Sequence, residues 1–277
     1  MPIVAMTREM GALSNEVAAG LAQELSVPVV HHEIIDVLAD KMRVRKSHVV
    51  RLLDGHANLL ERMSADKTSM AIYTVAEIFT LATRGAGVIL RGWGAVHVLR
   101  AVPHAVCVRI CAPLELRKRR LMQRLKTDRE DLIEKEIQAS DEAQTAINRR
   151  NFHVDWTDAT HYDLVLNTER VTVKQCIEEI VRLVRSADFA ETQASRQVLA
   201  DLAMQAQVKA ALRVDPATRG LPVMVSAQKG QVTLSGIVPH AEERSYVERL
   251  VVKVVGGATE VINSLGAEAE LRVRRIV

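Results

Sequence analysis

Apolar residues fall along the chain in short solid blocks separated by longer amphipathic stretches. Pro2-Ile-Val-Ala-Met6 is a solid block, and such a run fits a strand covered on both faces. After Gly11 the spacing changes to threes and fours, with Val17, Leu21, Ala22 and Leu25 on one face and Ser14 at the expected N-cap of a helix. From Glu33 to about Arg84 the pattern is helical throughout, with Gly55 as its one glycine and no proline. Gly85-Ala-Gly87 breaks it. Solid apolar blocks return at Val88-Ile-Leu90, at Ala105 to Cys111 and at Asp163 to Asn167. A long charged helical region fills 113–150, and a last helix runs from Val173 to about Arg185. Strands alternating with helices predict a doubly wound α/β parallel sheet carrying a helical lid or insertion, with ligands outside the C-terminal strand ends.

Beyond residue 187 the pattern is of another kind. Residues 188–198 lack a strong apolar face and read as a linker or a solvated helix. Leu199 to Leu212 is amphipathic. Val223 to Gln228 and Gln231 to Val238 alternate around Lys229-Gly230, which is a hairpin signature. A helix from His240 to about Val255, a Gly256-Gly257 break and a strand from Thr259 to Asn263 complete a small α+β unit of order αββαβ. The expected division is therefore 1–187, a linker at 188–198, and 199–277.

Composition changes this picture little. The chain has 277 residues, 48% hydrophobic but 3% aromatic, so its cores must be aliphatic. Lys and Arg total 37 against 34 Asp and Glu, and the net charge of +3 argues against a dedicated nucleic-acid binder. Cys107, Cys111 and Cys176 lack zinc-type spacing, and the first two read as small buried hydrophobes, so no metal site is expected from them. The N-terminus has no signal-peptide pattern and no run is long enough to span a bilayer, which predicts a cytoplasmic protein.

Several ordered motifs carry a resemblance. Thr7-Arg8-Glu9-Met10-Gly11 after the first strand, Pro28 with Glu33-Ile-Ile35, and Val88 to Leu99 form its first part. Ala112-Pro113-Leu-Glu-Leu-Arg117-Lys-Arg-Arg120, Asp155-Trp156-Thr-Asp158 and Tyr162 to Thr168 complete it. Together they resemble the cytidylate kinase-like family of P-loop nucleoside monophosphate kinases. Gly230-Gln-Val-Thr-Leu-Ser-Gly236, Glu243-Arg244 and Gly256 to Asn263 resemble a BON domain.

The first resemblance implies ATP and Mg²⁺ as cofactors and phosphoryl transfer to CMP or a related acceptor. It places Arg8, Gly11, Ser14 and Asn15 at the phosphates, His31 and Arg91 on the acceptor side, and Arg117, Arg120, Asp141, Arg149 and Arg150 in the lid. Ser14 serves either as a plain cap or as a hydroxyl for phosphate or Mg²⁺. His31 and His32 either contact phosphate or form a loop before a helix. Arg117, Arg120 and Arg124 share a helical face that meets phosphates or is solvated and paired with acids such as Glu130.

The motifs also depart from the family. Its Gly-Ser-Gly-Gly-Arg-Glu stands here as Gly11-Ala-Leu-Ser-Asn-Glu16, and the strict Gly-x4-Gly-Lys-Ser/Thr pattern is absent. The arginine of its Gly-Arg-Gly is Trp93, with Arg91 earlier in the strand, and Gln144 stands at the arginine position of its Asp-x-x-Arg. Removing one charge-stabilising group costs about 2.7–4 kcal/mol of transition-state stabilisation. Three readings follow: a cytidylate-like kinase, a non-catalytic pseudokinase binding a nucleotide or small phosphorylated ligand, or an interaction scaffold. The BON resemblance implies contact with phospholipid, another envelope component, a small ligand or a protein. The apolar stripe of 45–84 suits an acceptor-binding insertion or a homo-oligomer contact.

Overall fold

A computed structural model describes residues 1–7, 9–30, 33–54, 57, 66–92, 94–257 and 259–268. They form two compact units, one of residues 1–66 and 84–192, the other of 67–83 and 193–277.

In the first unit, β1 (Ile3–Met6), β2 (Val29–Val30), β3 (Val88–Arg91), β4 (Ala105–Cys111) and β5 (Leu164–Asn167) form one sheet of order β2-β3-β1-β4-β5, every pairing parallel. The predicted doubly wound sheet is present, with β2 as an added strand of two residues. All four residues of β1 are buried, as central position requires. Helices α1 (Ser14–Leu25), α2 (Glu33–Met42) and α3 (Lys46–Asp54) lie between β1 and β3 in sequence. The short α5 (Ala95–Leu99) follows β3, then α6 (Leu114–Leu125) and α7 (Glu130–Phe152) follow β4, and α8 (Val173–Val184) follows β5; α4 (Lys67–Thr83) belongs to the second unit. One core joins Val4, Met6 and Val108 from the sheet to Val17 and Leu21 of α1 and Ile180 of α8. Each large aliphatic side chain so buried contributes about 1.5–3 kcal/mol.

Backbone bonds continue past the end of β1. The Thr7 N–H donates to the Val108 carbonyl at 3.0 Å and the Gly92 N–H to the Met6 carbonyl at 2.8 Å. The chain therefore leaves the sheet held on both sides, and this fixes where the next loop starts.

The second unit contains α4 (Lys67–Thr83), α9 (Gln193–Val214), α10 (Ala241–Val255) and the sheet β6 (Val223–Gln228), β7 (Gln231–Val238), β8 (Glu260–Ala267). The hairpin is antiparallel and β8 joins β7 in parallel. Val208, Leu212, Val225, Leu234, Val247, Val251 and Leu265 make its core. Lys229 and Gly230 both have positive φ, 52° and 78°, as a two-residue hairpin turn of the primed kind needs. Both their N–H groups donate to the buried Asp201 carboxylate, at 2.6 and 2.8 Å.

Residues 188–198 begin with a 3-10 turn, Ala187–Phe189, and then enter α9 at Gln193. Helix α4, expected inside the first half, packs against α9, where the Arg213 Nε donates to the Ser69 hydroxyl at 2.7 Å. Among the described residues no helix is long and apolar enough to cross a membrane.

Candidate functional site

The loop from Glu9 to Ser14 leaves the carboxyl end of β1 and turns into α1. The Ala12 N–H donates to the Glu9 carbonyl at 3.2 Å, and Gly11 and Leu13 both sit in left-handed conformation, φ 81° and 62°. Gly11 has no alternative residue: a Cβ there would lie 2.9 Å from the backbone oxygen of Arg117. Leu13 holds the same kind of conformation at a cost of about 1–2 kcal/mol.

This corrects the expected helix start. Leu13, not Ser14, occupies the N-cap, and its side chain makes no capping bond. Its carbonyl accepts the first helical bond, from the Val17 N–H at 3.1 Å, which places Ser14 inside the first turn and buries it. The leading N–H groups of α1 thus follow a left-handed loop, the arrangement that concentrates partial positive charge for an anion.

A cavity of about 580 Å³ opens on this turn. Gly11, Leu13, Ser14 and Asn15 form one wall, Arg91 from the end of β3 another, and Arg120 and Arg124 from α6 a third. Arg91, assigned by resemblance to the acceptor side, therefore lines the same cavity as the phosphate loop. Arg124 is exposed, and no hydrogen bond or ion pair joins it to the described residues.

Arg117 departs from the expected phosphate-facing position. It is only 4% exposed, and its Nε donates to the Met10 carbonyl at 2.6 Å. Its other nitrogens reach Glu9 Oε1 at 3.2 Å and both Asp141 oxygens at 2.9 and 2.8 Å. The guanidinium is fully engaged in joining α6 and α7 to the loop.

Arg120 is divided between two tasks. Its nitrogens donate to the Gly11 carbonyl at 3.3 Å, and to the hydroxyl and carbonyl of Thr168 at 2.9 and 2.7 Å, while its side chain lines the cavity. Desolvation lowers its pKa from the ordinary arginine value. Asp141 is tied to Arg117 and does not line the cavity. Arg149 and Arg150 stand exposed near the C-terminal end of α7, away from it, with Arg150 Nε on Asn151 Oδ1 at 3.2 Å. Arg8 and His31 lie outside the described residues.

Two residues were missed. Glu9 lines the cavity yet is buried, and desolvation pushes its carboxyl up to about 7 in spite of Arg117 and Arg109. Its Oε2 has no hydrogen-bond partner among the described residues. Thr168 at the end of β5 accepts from Arg120 and donates to the Ala12 carbonyl at 3.1 Å, fastening the loop to the sheet. Both stand in segments that carried the resemblance, which was the available signal. The thiol of Cys107 is buried and raised to about 12, as its reading as a small hydrophobe expects.

The model of the cytidylate kinase-like family matches residues 3–170. The chain belongs to the cytidylate kinase-like family. A BON domain model matches residues 200–274, so this family member carries a BON domain as well. No curated protein matches it. Among solved structures, an uncharacterized protein from Eubacterium ventriosum ATCC 27560 is similar at TM-score 0.52 and 19% identity, over 67% of this chain and 99% of that one. Shikimate kinase from Acinetobacter baumannii in complex with shikimate gives 0.40 and 18%, over 66% and 93%. Shikimate kinase from Bacteroides thetaiotaomicron gives 0.42 and 14%, over 67% and 99%.

A left-handed loop at a helix start, the three arginines Arg91, Arg120 and Arg124, and the cavity of about 580 Å³ thus lie together. Among the described residues no cluster of three His, Cys, Asp or Glu side chains is arranged for a metal ion.

Proposed function

We propose that the first unit binds the phosphates of a nucleotide, or of a small phosphorylated ligand, and transfers phosphoryl groups slowly if at all. The observation that supports this is the pairing of an anion-receptive loop with a withdrawn cation, Arg117. Gly11 and Leu13 turn the chain so that Ser14, Asn15 and Glu16 of the first turn of α1 line the cavity, while Arg117 is engaged by Glu9 and Asp141. Binding a polyphosphate needs the loop, the helix start and the cations of the wall. Accelerating its transfer needs further cations over the charge that develops at the reacting phosphorus.

Ligand phosphates would sit against the backbone of Gly11 to Asn15, with Arg91, Arg120 and Arg124 around them. Mg²⁺ would arrive on the nucleotide's own oxygens and neutralise part of their charge, a mode that needs few protein ligands. Ser14 would offer its hydroxyl from inside the first turn. Leu13 narrows the approach, because its side chain stands where the family has glycine.

Calorimetric titration of the full chain with ATP, CTP and CMP, with and without Mg²⁺, tests the binding. Saturable binding is expected, and absence of it at millimolar nucleotide would overturn the reading. A coupled assay for ADP release over CMP, dCMP, UMP and AMP tests the second half. Background release is expected; turnover in the range of about 1–100 s⁻¹ usual for kinases would overturn it.

A further inference from the structure

Glu9 is an anomaly in a cavity built for anions. It is 6% exposed, stands at the start of the loop, and borders the space that Gly11, Arg91 and Arg120 line. A carboxylate there would repel a phosphate across a poorly solvated gap. Its one ion pair is end-on, Arg117 Nη1 to Oε1 at 3.2 Å, whereas the same guanidinium holds Asp141 with two bonds of 2.8 and 2.9 Å. Oε1 is therefore weakly partnered and Oε2 is buried without a partner among the described residues.

An orphaned buried oxygen is expensive unless it finds a donor or becomes one. A carboxyl that carries a proton is a donor, and a phosphate oxygen is a strong acceptor. Resting on the reading of this cavity as a phosphate site, we propose that Glu9 is a ligand-contacting residue that takes up a proton as an oxyanion binds, its carboxyl turning out of its buried setting to donate a hydrogen bond to it. The proton comes from solvent and no covalent bond changes: carboxylate, proton and oxyanion become a carboxylic acid hydrogen-bonded to the oxyanion.

The charges around Glu9 support this balance. From α6 it meets Arg117, from α7 Asp141, and from β4 Arg109 and Cys111; Tyr162 lies before β5. The cavity adds Glu16 of α1 with Arg91, Arg120 and Arg124. Burial already raises the carboxyl to about 7, so a proton is within reach at neutral pH and an arriving anion would raise the affinity for it further. The ligand class favoured is an oxyanion of a phosphate ester or polyphosphate, bound more tightly as pH falls.

The test uses the intact chain and two probes: sulfate, which does not titrate in the range used, and ATP. Titrations between about pH 6 and 8.5, each in two buffers of different ionisation enthalpy, read affinity and proton uptake together. Sulfate affinity is expected to fall by up to about tenfold per pH unit above neutrality, with uptake of close to one proton. Glu9→Gln, whose amide donates at every pH, is expected to bind sulfate at alkaline pH as the wild type does at acid pH, with no uptake. Sulfate and ATP binding without proton uptake in the wild-type chain would overturn the role of Glu9 and leave the phosphate site standing. No saturable binding of either probe at any pH would overturn both. The wild-type uptake measurement decides even if the variant folds poorly.

Discussion

Arg117 and Asp141 meet side by side, Nη1 to Oδ2 at 2.9 Å and Nη2 to Oδ1 at 2.8 Å, and so pin α7 to α6. The guanidinium is buried while the carboxylate keeps about a third of its surface in solvent. The two positions should therefore respond unequally. Arg117→Ala leaves Glu9 and Asp141 without their shared cation and is expected to cost about 3–5 kcal/mol. Asp141→Asn keeps one acceptor and should cost about 1–3 kcal/mol. Denaturant unfolding of both variants checks the order.

Leu13 supplies a second prediction. Leu13→Gly relieves a left-handed residue, worth about 1–2 kcal/mol, and offsets part of that by loosening the unfolded chain. Stability should change little. Nucleotide affinity should rise, because the side chain that narrows the approach is gone. Gly11→Ala should do the opposite, since its Cβ meets the Arg117 backbone at 2.9 Å; unfolding and ATP titration together check both.

Acid stability should carry two opposed contributions. His97, packed against Phe152 and His161 with ring centroids 5.4 Å away in each case, is lowered from 6.5 to about 4 by desolvation first, then His161 and Arg100. Its folded pKa is depressed, so its contribution is complete above pH 6.5 and is lost as pH falls toward 4. Glu9 is raised from 4.5 to about 7, chiefly by desolvation, so its contribution is complete below pH 4.5 and is lost as pH rises through 7. Profiles of melting temperature against pH should lose the first slope in His97→Phe and the second in Glu9→Gln.

The Asp201 carboxylate holds both N–H groups of the Lys229-Gly230 turn. Asp201→Ala leaves both donors without it and should lower stability by about 1–3 kcal/mol per orphaned group. Hydrogen exchange at Lys229 and Gly230 should speed up before exchange in β7 does.

The strands of the first unit were legible as solid apolar blocks bounded by breaks, and β6 and β7 as alternating runs about a turn dipeptide, because each pattern fits a strand period and no helical one. Val29-Val30 was too short to register. Helix α9 starts before Leu199 because Gln193 to Gln197, with Ala194 their one apolar residue, supply no stripe yet continue a helix. In α4, Met70, Tyr73, Ile78, Phe79 and Leu81 are buried on several sides, so its pattern announces burial without naming the partner. The site divides in the same manner. Gly11, Ser14, Asn15, Arg91 and Arg120 were legible as motif positions and line one cavity, since motif order fixes which loop, helix or strand end carries each. The engagement of Arg117 was not, because Asp141 lies 24 residues away on another helix. Nor was the persistence of the loop shape at Leu13, where bonds from Thr168 and Arg120 and the first turn of α1 hold what glycine would have allowed freely.

Helix α4 also sets a schedule for synthesis. It is made before most of the first unit, but its partner α9 begins at Gln193, about 110 residues further on. At about 5–20 residues per second that is a wait of roughly 5–20 s with Met70, Tyr73, Ile78 and Phe79 unmatched on the growing chain. The interval is long for a helix that could recruit a chaperone or collapse onto the wrong surface. A chain ended at Thr192 never reaches the end of it, and should be recovered in aggregates or bound to holdases rather than as a free half.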